Sequence, residues 1–155
     1  MNKFIALSLL VFSLITTSCG GEKEQLGTEE SQIENYIKAK HLTISDSTED
    51  GLKFILTKAN PLGTVLQSGQ TVSVNYTGKF IAGKKMDKEF DSGSFSFSLN
   101  GGEVVKGFDK GISKMKVGEK AVIIFPSAMG YGSSGAGSIP EDTPLLFEIE
   151  VVSVK

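Results

Sequence analysis

The strongest constraint on the fold is a strict alternation of apolar and polar residues in the middle of the chain. Phe95, Phe97 and Leu99 alternate with three serines, and a longer run over residues 72–80 has the same period of two. Successive side chains of a β-strand point to opposite faces of its sheet, so each run predicts a strand with one buried and one solvated face. The sequence therefore predicts a sheet whose two faces differ in polarity.

Three further segments have strand character, and they cover residues 52–57, 121–125 and 145–154. One central helical window, residues 105–115, interrupts the strands, because its apolar residues repeat at helical spacing. Strands and helices do not alternate along the chain, so a parallel sheet of βαβ units is not expected. With 155 residues, enough for one domain, these patterns predict an α+β fold in which an antiparallel sheet folds against one short helix.

Charge and side-chain inventory exclude several classes of function. All 16 basic residues are lysine, and the 18 acidic residues give a net charge of −2. Nucleic-acid binding depends on clustered cations and favours arginine, so no nucleic-acid partner is expected. One cysteine and one histidine cannot form a structural zinc site, which normally takes four side chains of these two types, and His41 lies far along the chain from the glycine-rich and aromatic segments. We therefore predict chemistry without a metal, a cofactor or a catalytic histidine.

The first residues have the pattern of an export signal. Lys3 precedes twelve uncharged residues, Phe4 to Ile15, a length typical of the hydrophobic region of a signal peptide and too short to span a bilayer. Small residues then lead to Cys19, which resembles the lipid-attachment cysteine of bacterial lipoproteins, although Thr16 stands where that pattern prefers leucine. An ordinary secretory cleavage site would cut at the same place. Because an exported chain has little use for a single unpaired thiol, we favour lipid attachment at Cys19.

These features predict an exported lipoprotein, anchored to a membrane through Cys19, in the periplasm or on the outer membrane of a bacterium. The predicted segments are a signal peptide over residues 1–18, a flexible tether over residues 19–30 and a helical extension over residues 31–50. Ser31 and Glu34 fit a capping box at the start of an amphipathic helix. The apolar stripe of this helix must pack on its own domain, on a second copy or on a partner.

A glycine-rich loop contains the spacing of a dinucleotide-binding fingerprint. Residues 130–135 read G-x-G-x-x-G, which binds a pyrophosphate only where a strand leads directly into it and a helix begins within it. Pro126 separates this segment from the preceding strand, and Gly137 and Pro140 follow where the helix should be, so nucleotide binding is not expected. What remains is a long loop over residues 127–144, and loops of this length are usually functional.

Eight short motifs occur in order over residues 70–155. They are Val74-Asn75-Tyr76-Thr77-Gly78, Phe90-Asp91-Ser92, Phe95-Ser96-Phe97, Glu103-Val104-Val105-Lys106-Gly107-Phe108, Met115-Lys116-Val117-Gly118-Glu119, Tyr131-Gly132, Ile139-Pro140 and Leu145-Leu146-Phe147-Glu148. Together they resemble the FKBP-type peptidyl-prolyl cis-trans isomerases. The resemblance implies that residues 51–155 form an isomerase domain, with a half-barrel of five or six antiparallel strands wrapped around the short helix.

The resemblance also implies an apolar pocket that accepts a proline ring. Catalytic roles are implied for Tyr76, Asp91 and Tyr131. The implied walls of the substrate pocket are Phe90, Phe95, Val104, Val105, Phe108, Ile139 and Phe147. Taken alone, each phenylalanine is also compatible with ordinary core packing. The family usually has tryptophan at the pocket floor, where this chain has Phe108.

Two aspartates compete for one position in the pocket wall. The Phe-Asp-Ser motif favours Asp91, whereas spacing from Tyr76 favours Asp87. We prefer Asp91. Its carboxylate is expected either to interact with the twisting carbonyl of the substrate or to hold the side chain of Tyr76, and the sequence does not distinguish these roles.

The implied activity is rotation about X–Pro bonds of exported polypeptides, accelerated by desolvation of the prolyl amide without covalent chemistry. Proline-containing polypeptides are the implied substrates, and macrolides such as tacrolimus are implied inhibitors. Two alternatives remain open. One is a membrane-anchored chaperone module that binds proline-containing peptides without catalysis, which Phe108 and the lack of an arginine before Phe95 favour. The other is a structural lipoprotein whose N-terminal helix docks a membrane complex.

Overall fold

The computed structural model describes residues 27–155, so the predicted signal peptide, Cys19 and most of the tether lie outside the described residues. Within that range the elements in chain order are α1 (Glu29–Ala39), β1 (Asp46–Ser47), β2 (Lys53–Lys58), β3 (Thr71–Phe80), β4 (Glu89–Ser98), α2 (Lys106–Ile112), β5 (Lys120–Phe125) and β6 (Leu145–Val154). Neither of these α-helices is long and apolar enough to cross a bilayer.

The strands form one antiparallel sheet in the order β1-β2-β5-β6-β3-β4. The long strands β3 and β6 pair along most of their length, and β4 continues the sheet beyond β3. The predicted α+β class, with an antiparallel sheet of five or six strands against a short helix, is confirmed. The alternation over residues 72–80 correctly predicted strand β3 and its buried face, because Val72, Val74 and Phe80 are all buried.

Helix α2 packs on one face of the sheet and forms the main core with it. Phe108 and Ile112 of α2 are 3% and 0% exposed. They lie in one cluster with Phe97, Phe125 and Phe147 from the strands. This cluster removes large aromatic surfaces from water, which is the main favourable contribution to folding.

Gly107 allows α2 to approach β5 closely. A Cβ atom on Gly107 would lie 2.3 Å from Cγ of Phe125, which is far inside van der Waals contact. Phe125 is fully buried, and a close-packed core leaves its ring no room to move aside. The absence of a side chain at Gly107 therefore sets the height of the neighbouring Phe108 above the sheet.

Helix α1 packs on the opposite face of the sheet. Ile33 and Tyr36 are buried in a second cluster with Ile55, Ile124 and Leu146. These strand residues are neighbours in sequence of residues that belong to the main core, so they point to the other side of the sheet. The apolar stripe of α1 therefore packs on its own domain, which was one of the arrangements that the sequence left open.

The start of α1 differs from the prediction. The helix begins at Glu29, and its N-cap is Thr28, whose hydroxyl oxygen accepts the N–H of Ser31 at 3.2 Å. The Ser31 hydroxyl donates in turn to the carbonyl of Thr28 at 2.8 Å. The predicted capping box of Ser31 and Glu34 is wrong, because Thr28 supplies the capping oxygen one turn earlier.

Three other boundaries differ from the sequence prediction. Asp46–Ser47 pairs with β2, so the sheet includes part of the segment predicted as a helical extension. Strand β4 begins at Glu89 rather than near residue 94, because its ladder with β3 continues through a polar segment that lacks apolar alternation. Helix α2 ends at Ile112, and Met115 is buried in the core beyond the helix.

Candidate active site

A cavity of about 370 Å³ lies between α2 and the sheet, at the point where β3, β4 and β6 meet the loop over residues 127–144. Its lining residues are Tyr76, Asp91, Phe95, Glu103, Val104, Val105, Phe108, Tyr131 and Phe147. Most of these side chains are aromatic or aliphatic, and four of the nine residues come from the long strands β3, β4 and β6. A cavity of similar size on the sheet is bordered by Lys120, Glu148 and Glu150 and has a more polar rim.

Four aromatic rings form the floor and one wall of the cavity. The ring of Phe108 lies 5.1 Å from Phe147, 5.8 Å from Phe95 and 6.0 Å from Tyr76, measured between ring centroids. The contacts with Phe147 and Tyr76 are edge-to-face, an arrangement that places the positive edge of one ring against the negative face of the other. The rings support one another, so the apolar floor is held in a fixed shape before any ligand binds.

Tyr76 and Asp91 form the polar pair of the cavity. They lie on the paired strands β3 and β4, and the Tyr76 hydroxyl donates to Oδ2 of Asp91 at 2.8 Å. Burial, the hydrogen bond to Asp91 and the charge of that carboxylate together raise the pKa of Tyr76 to about 12. Tyr76 therefore keeps its proton throughout the neutral range, and Asp91 accepts its hydrogen bond and holds its side chain in place.

The structure places the competing aspartate away from the cavity. Asp87 lies in the turn between β3 and β4 with a φ of 62°. It accepts a hydrogen bond from the hydroxyl of Tyr36 on α1 at 2.8 Å and pairs with Lys40, the C-cap residue that follows α1. The hydrogen bond from Lys40, followed by that from Tyr36, lowers the pKa of Asp87. Asp91, and not Asp87, therefore lines the cavity.

Tyr131 borders the cavity from the long loop. The loop contains two short 3₁₀ turns, Ser127–Met129 and Gly132–Ser134, with Tyr131 between them. The N–H of Asp142 donates to the carbonyl of Gly132 at 2.9 Å and ties the far end of the loop back to this point. Tyr131 is 37% exposed, more than the other aromatic residues of the cavity, so its hydroxyl is accessible to a bound peptide.

Two of the residues predicted for the pocket do not line the cavity, and one lining residue was missed. The Phe90 ring lies 5.6 Å from Phe147 and 5.1 Å from Phe80, so it supports the wall from behind. Ile139 is 8% exposed and belongs to the main core. Glu103 lines the cavity but was not predicted, because an exposed loop carboxylate has no periodic pattern that marks it.

The fold and the cavity define the class of protein. A family model for FKBP-type peptidyl-prolyl cis-trans isomerases matches residues 63–152, a range that contains every residue lining the cavity. The chain belongs to this family, and it is a peptidyl-prolyl cis-trans isomerase. The resemblance drawn from the eight sequence motifs is thereby confirmed.

Individual relatives agree with this assignment. The chain is 37% identical to the peptidyl-prolyl cis-trans isomerase FKBP15-3 of Arabidopsis thaliana over 145 residues, which cover 91% of this chain and 100% of the relative. It is 36% identical to FK506-binding protein 2 of Dictyostelium discoideum over 112 residues, 71% of this chain and 82% of the relative. The crystal structure of FkpA from Escherichia coli matches with a TM-score of 0.68 and 30% identity, over 83% of this chain and 59% of that chain.

Proposed function

We propose that this isomerase binds the proline ring of its substrate in the cavity between α2 and the sheet, and that its substrates are exported polypeptides. The observation that carries the proposal for the site is the set of four mutually packed aromatic rings around a cavity of about 370 Å³. A cavity of this size and lining suits a prolyl residue and its neighbours.

The chemistry that the cavity supplies is desolvation of the prolyl amide. Rotation about an X–Pro bond meets a barrier of ~18–20 kcal/mol, because amide resonance gives the C–N bond partial double-bond character. The planar amide is more charge-separated than the twisted one, so an apolar environment raises the energy of the ground state more than that of the transition state. An acceleration of ~10⁴ requires a differential stabilisation of ~5.5 kcal/mol.

The polar side chains at the cavity have different roles in this proposal. Tyr131 donates a hydrogen bond from its hydroxyl to a carbonyl oxygen of the bound peptide. Asp91 accepts the hydrogen bond of Tyr76 and fixes the position of that ring. None of these groups gives up or takes a proton during the rotation.

The same cavity is the proposed site for macrolide inhibitors. Relatives named FK506-binding proteins support this proposal. Tacrolimus is therefore expected to compete with prolyl substrates for the contact with the ring of Phe108, and inhibition by tacrolimus is a direct control for activity at this cavity.

Replacing Tyr131 with Ala tests the proposed site. We expect kcat/KM for a prolyl peptide to fall about 10- to 100-fold, because loss of one positioned hydrogen-bond donor typically has an effect of this size or larger. The thermal midpoint should change little, since Tyr131 lies on an exposed loop. Isomerase activity is measured by exchange between the cis and trans signals of the peptide in nuclear magnetic resonance spectra.

Ser133→Ala serves as the matched control, because Ser133 is an exposed residue of the same loop. This variant should retain the wild-type rate and the wild-type inhibition by tacrolimus. If Tyr131→Ala also retains the wild-type rate, the proposed role of Tyr131 is wrong. If the wild-type protein binds prolyl peptides without accelerating their cis-trans exchange, the proposal of catalysis at this cavity is wrong. The alternative of a chaperone module that binds without catalysis would then be favoured.

We further propose that the protein is exported and anchored to a bacterial membrane through lipid on Cys19. The support is the uncharged segment Phe4 to Ile15, followed by small residues and a single cysteine. Prolyl isomerisation takes tens of seconds without catalysis, so an isomerase held where exported chains fold would remove a slow step.

A further inference from the structure

Helix α1, on the far face of the sheet from the cavity, reaches the base of the loop that carries Tyr131. The Oε2 atom of Glu29 accepts the backbone N–H of Ser127 at 2.5 Å, and Oε1 accepts the Ser127 hydroxyl at 2.7 Å. Ser127 is 4% exposed and begins the 3₁₀ turn Ser127–Met129. These two bonds join residues that are 98 positions apart in the sequence.

The hydrogen bonds between Glu29 and Ser127 are stronger than hydrogen bonds between neutral groups. Hydrogen bonds to a carboxylate are about twice as strong as neutral ones, and both oxygens of Glu29 are used. Without Glu29, the N–H of a nearly fully buried Ser127 would lose its partner, which is far more costly than losing a solvated bond. The start of the 3₁₀ turn is therefore held firmly to α1.

The 3₁₀ turn connects Ser127 to Tyr131 through a short stretch of hydrogen-bonded backbone. The N–H of Met129 donates to the carbonyl of Pro126 at 3.0 Å, and the N–H of Gly130 donates to the carbonyl of Ser127 at 2.8 Å. Tyr131 follows directly. Because Met129 and Gly130 are hydrogen-bonded back to Pro126 and Ser127, a displacement of Ser127 should move the Tyr131 ring at the cavity.

A second set of contacts, from α1 and its C-cap residue Lys40, supports the same loop. Tyr36 and Lys40 hold Asp87 in the turn between β3 and β4. In that turn, the Nζ atom of Lys85 donates to the carbonyl of Ser138 in the long loop at 3.2 Å. Helix α1 thus contacts the long loop directly through Glu29 and indirectly through Asp87.

We propose that Glu29 is a positioning residue for Tyr131, acting through its two hydrogen bonds to Ser127. This inference rests on the proposed role of Tyr131 at the cavity. It assigns part of the isomerase site to the segment N-terminal to the β-sheet, because the loop position depends on a side chain in the first turn of α1.

A double-mutant cycle tests the inference. Glu29→Ala is expected to lower kcat/KM about tenfold, because a displacement of ~1 Å at an active site can reduce the rate by as much as ~10²-fold. In the Tyr131→Ala background the same substitution should have less than about a twofold effect, since the group that it positions is absent. An equal effect of Glu29→Ala in both backgrounds would show that Glu29 does not act through Tyr131.

Glu30→Ala is the matched control, because Glu30 is an exposed acidic residue in the same first turn of α1. It should retain the wild-type rate. Glu29→Gln should recover most of the loss, because its amide oxygen can accept the N–H of Ser127 while its NH₂ group donates to the hydroxyl. Ser127→Ala keeps only the hydrogen bond from the backbone N–H, so its kcat/KM should lie between those of Glu29→Ala and the wild type.

The signals of the three tyrosine rings provide a readout that is independent of activity. In spectra of ring-labelled protein, Glu29→Ala, Ser127→Ala and Glu29→Gln should shift the Tyr131 signal in that order of decreasing size, and Glu30→Ala should not shift it. An unchanged Tyr131 signal in all three variants overturns the inference. A wild-type rate in Tyr131→Ala instead contradicts the proposed function, so the two failures are distinguishable.

Discussion

Replacing Phe147 with Ala should lower the free energy of unfolding by about 3–5 kcal/mol and abolish isomerase activity. Truncation of a buried phenylalanine removes its burial energy and leaves a cavity that the surrounding structure fills only in part. Phe147 is 5% exposed, and its ring contacts those of Phe108, Phe125 and Tyr76. The same truncation enlarges the pocket and removes one aromatic wall, so a prolyl ring loses both its fit and its apolar contact.

Urea denaturation measures the change in stability, and two further variants separate it from the change in activity. Val152→Ala lies on the same strand at a position that is 50% exposed, and it should alter stability by less than about 0.5 kcal/mol. Phe147→Leu should recover much of the stability and little of the activity, because it restores volume without the aromatic wall. A wild-type rate in Phe147→Ala would contradict the proposed site.

Replacing Cys19 with Ser should release the protein from the membrane completely. Each buried methylene of an acyl chain contributes ~0.8 kcal/mol, and two or more chains on one cysteine give anchoring that a single chain cannot. Cys19 is the only cysteine in the sequence, so no second thiol can replace it. Partition between a detergent phase and an aqueous phase measures the loss in cells that express the full chain.

Ser18→Ala is the control for this experiment, because it keeps a small residue next to an intact Cys19. Wild-type protein and Ser18→Ala should enter the detergent phase, and Cys19→Ser should enter the aqueous phase. The mass of the intact protein must show that the Cys19→Ser chain has been cleaved, since an uncleaved signal peptide also anchors. Wild-type protein found in the aqueous phase without added lipid mass would contradict the lipoprotein proposal.

The sheet could be predicted from the sequence because the polarity pattern that marks each strand lies within a few consecutive residues. Alternation of apolar and polar residues fixed the main strands, and β5 and β6 were bounded within one residue. The predicted boundaries were wrong where contacts between elements distant in sequence determine where an element begins or ends. Asp46–Ser47 has no strand pattern and becomes a strand only through pairing with β2. Thr28 caps α1 in place of Ser31, because a hydroxyl one turn earlier satisfies the first free N–H groups.

The cavity was predictable only in part, for the same reason. Motif order identified the aromatic floor, and Tyr76, Phe95, Phe108 and Phe147 do lie together around it. Their roles in catalysis stay predictions. Phe90 lies behind the wall instead, because its ring packs between neighbouring phenylalanines rather than toward the opening.

The contact between Glu29 and Ser127 had no signal in the sequence. It joins a glutamate, a residue type usually found at the surface, in the first helix to a serine in a loop 98 positions later. No periodicity or motif connects such residues, and only the docking of α1 on the far face of the sheet brings them together. Long-range polar contacts of this kind become visible when the packing of the elements is known.

The dependence of kcat/KM on pH tests most directly whether an apolar cavity, rather than proton transfer, accelerates prolyl rotation. The pKa of Tyr76 is raised to about 12, so its hydrogen bond to Asp91 does not lose a proton near neutrality. For a prolyl peptide without titratable groups, measured by magnetic resonance exchange without a coupling protease, kcat/KM should vary by less than about twofold between about pH 6 and pH 9. A bell-shaped profile centred near neutrality would contradict catalysis by desolvation and would indicate a titrating acid or base at the site.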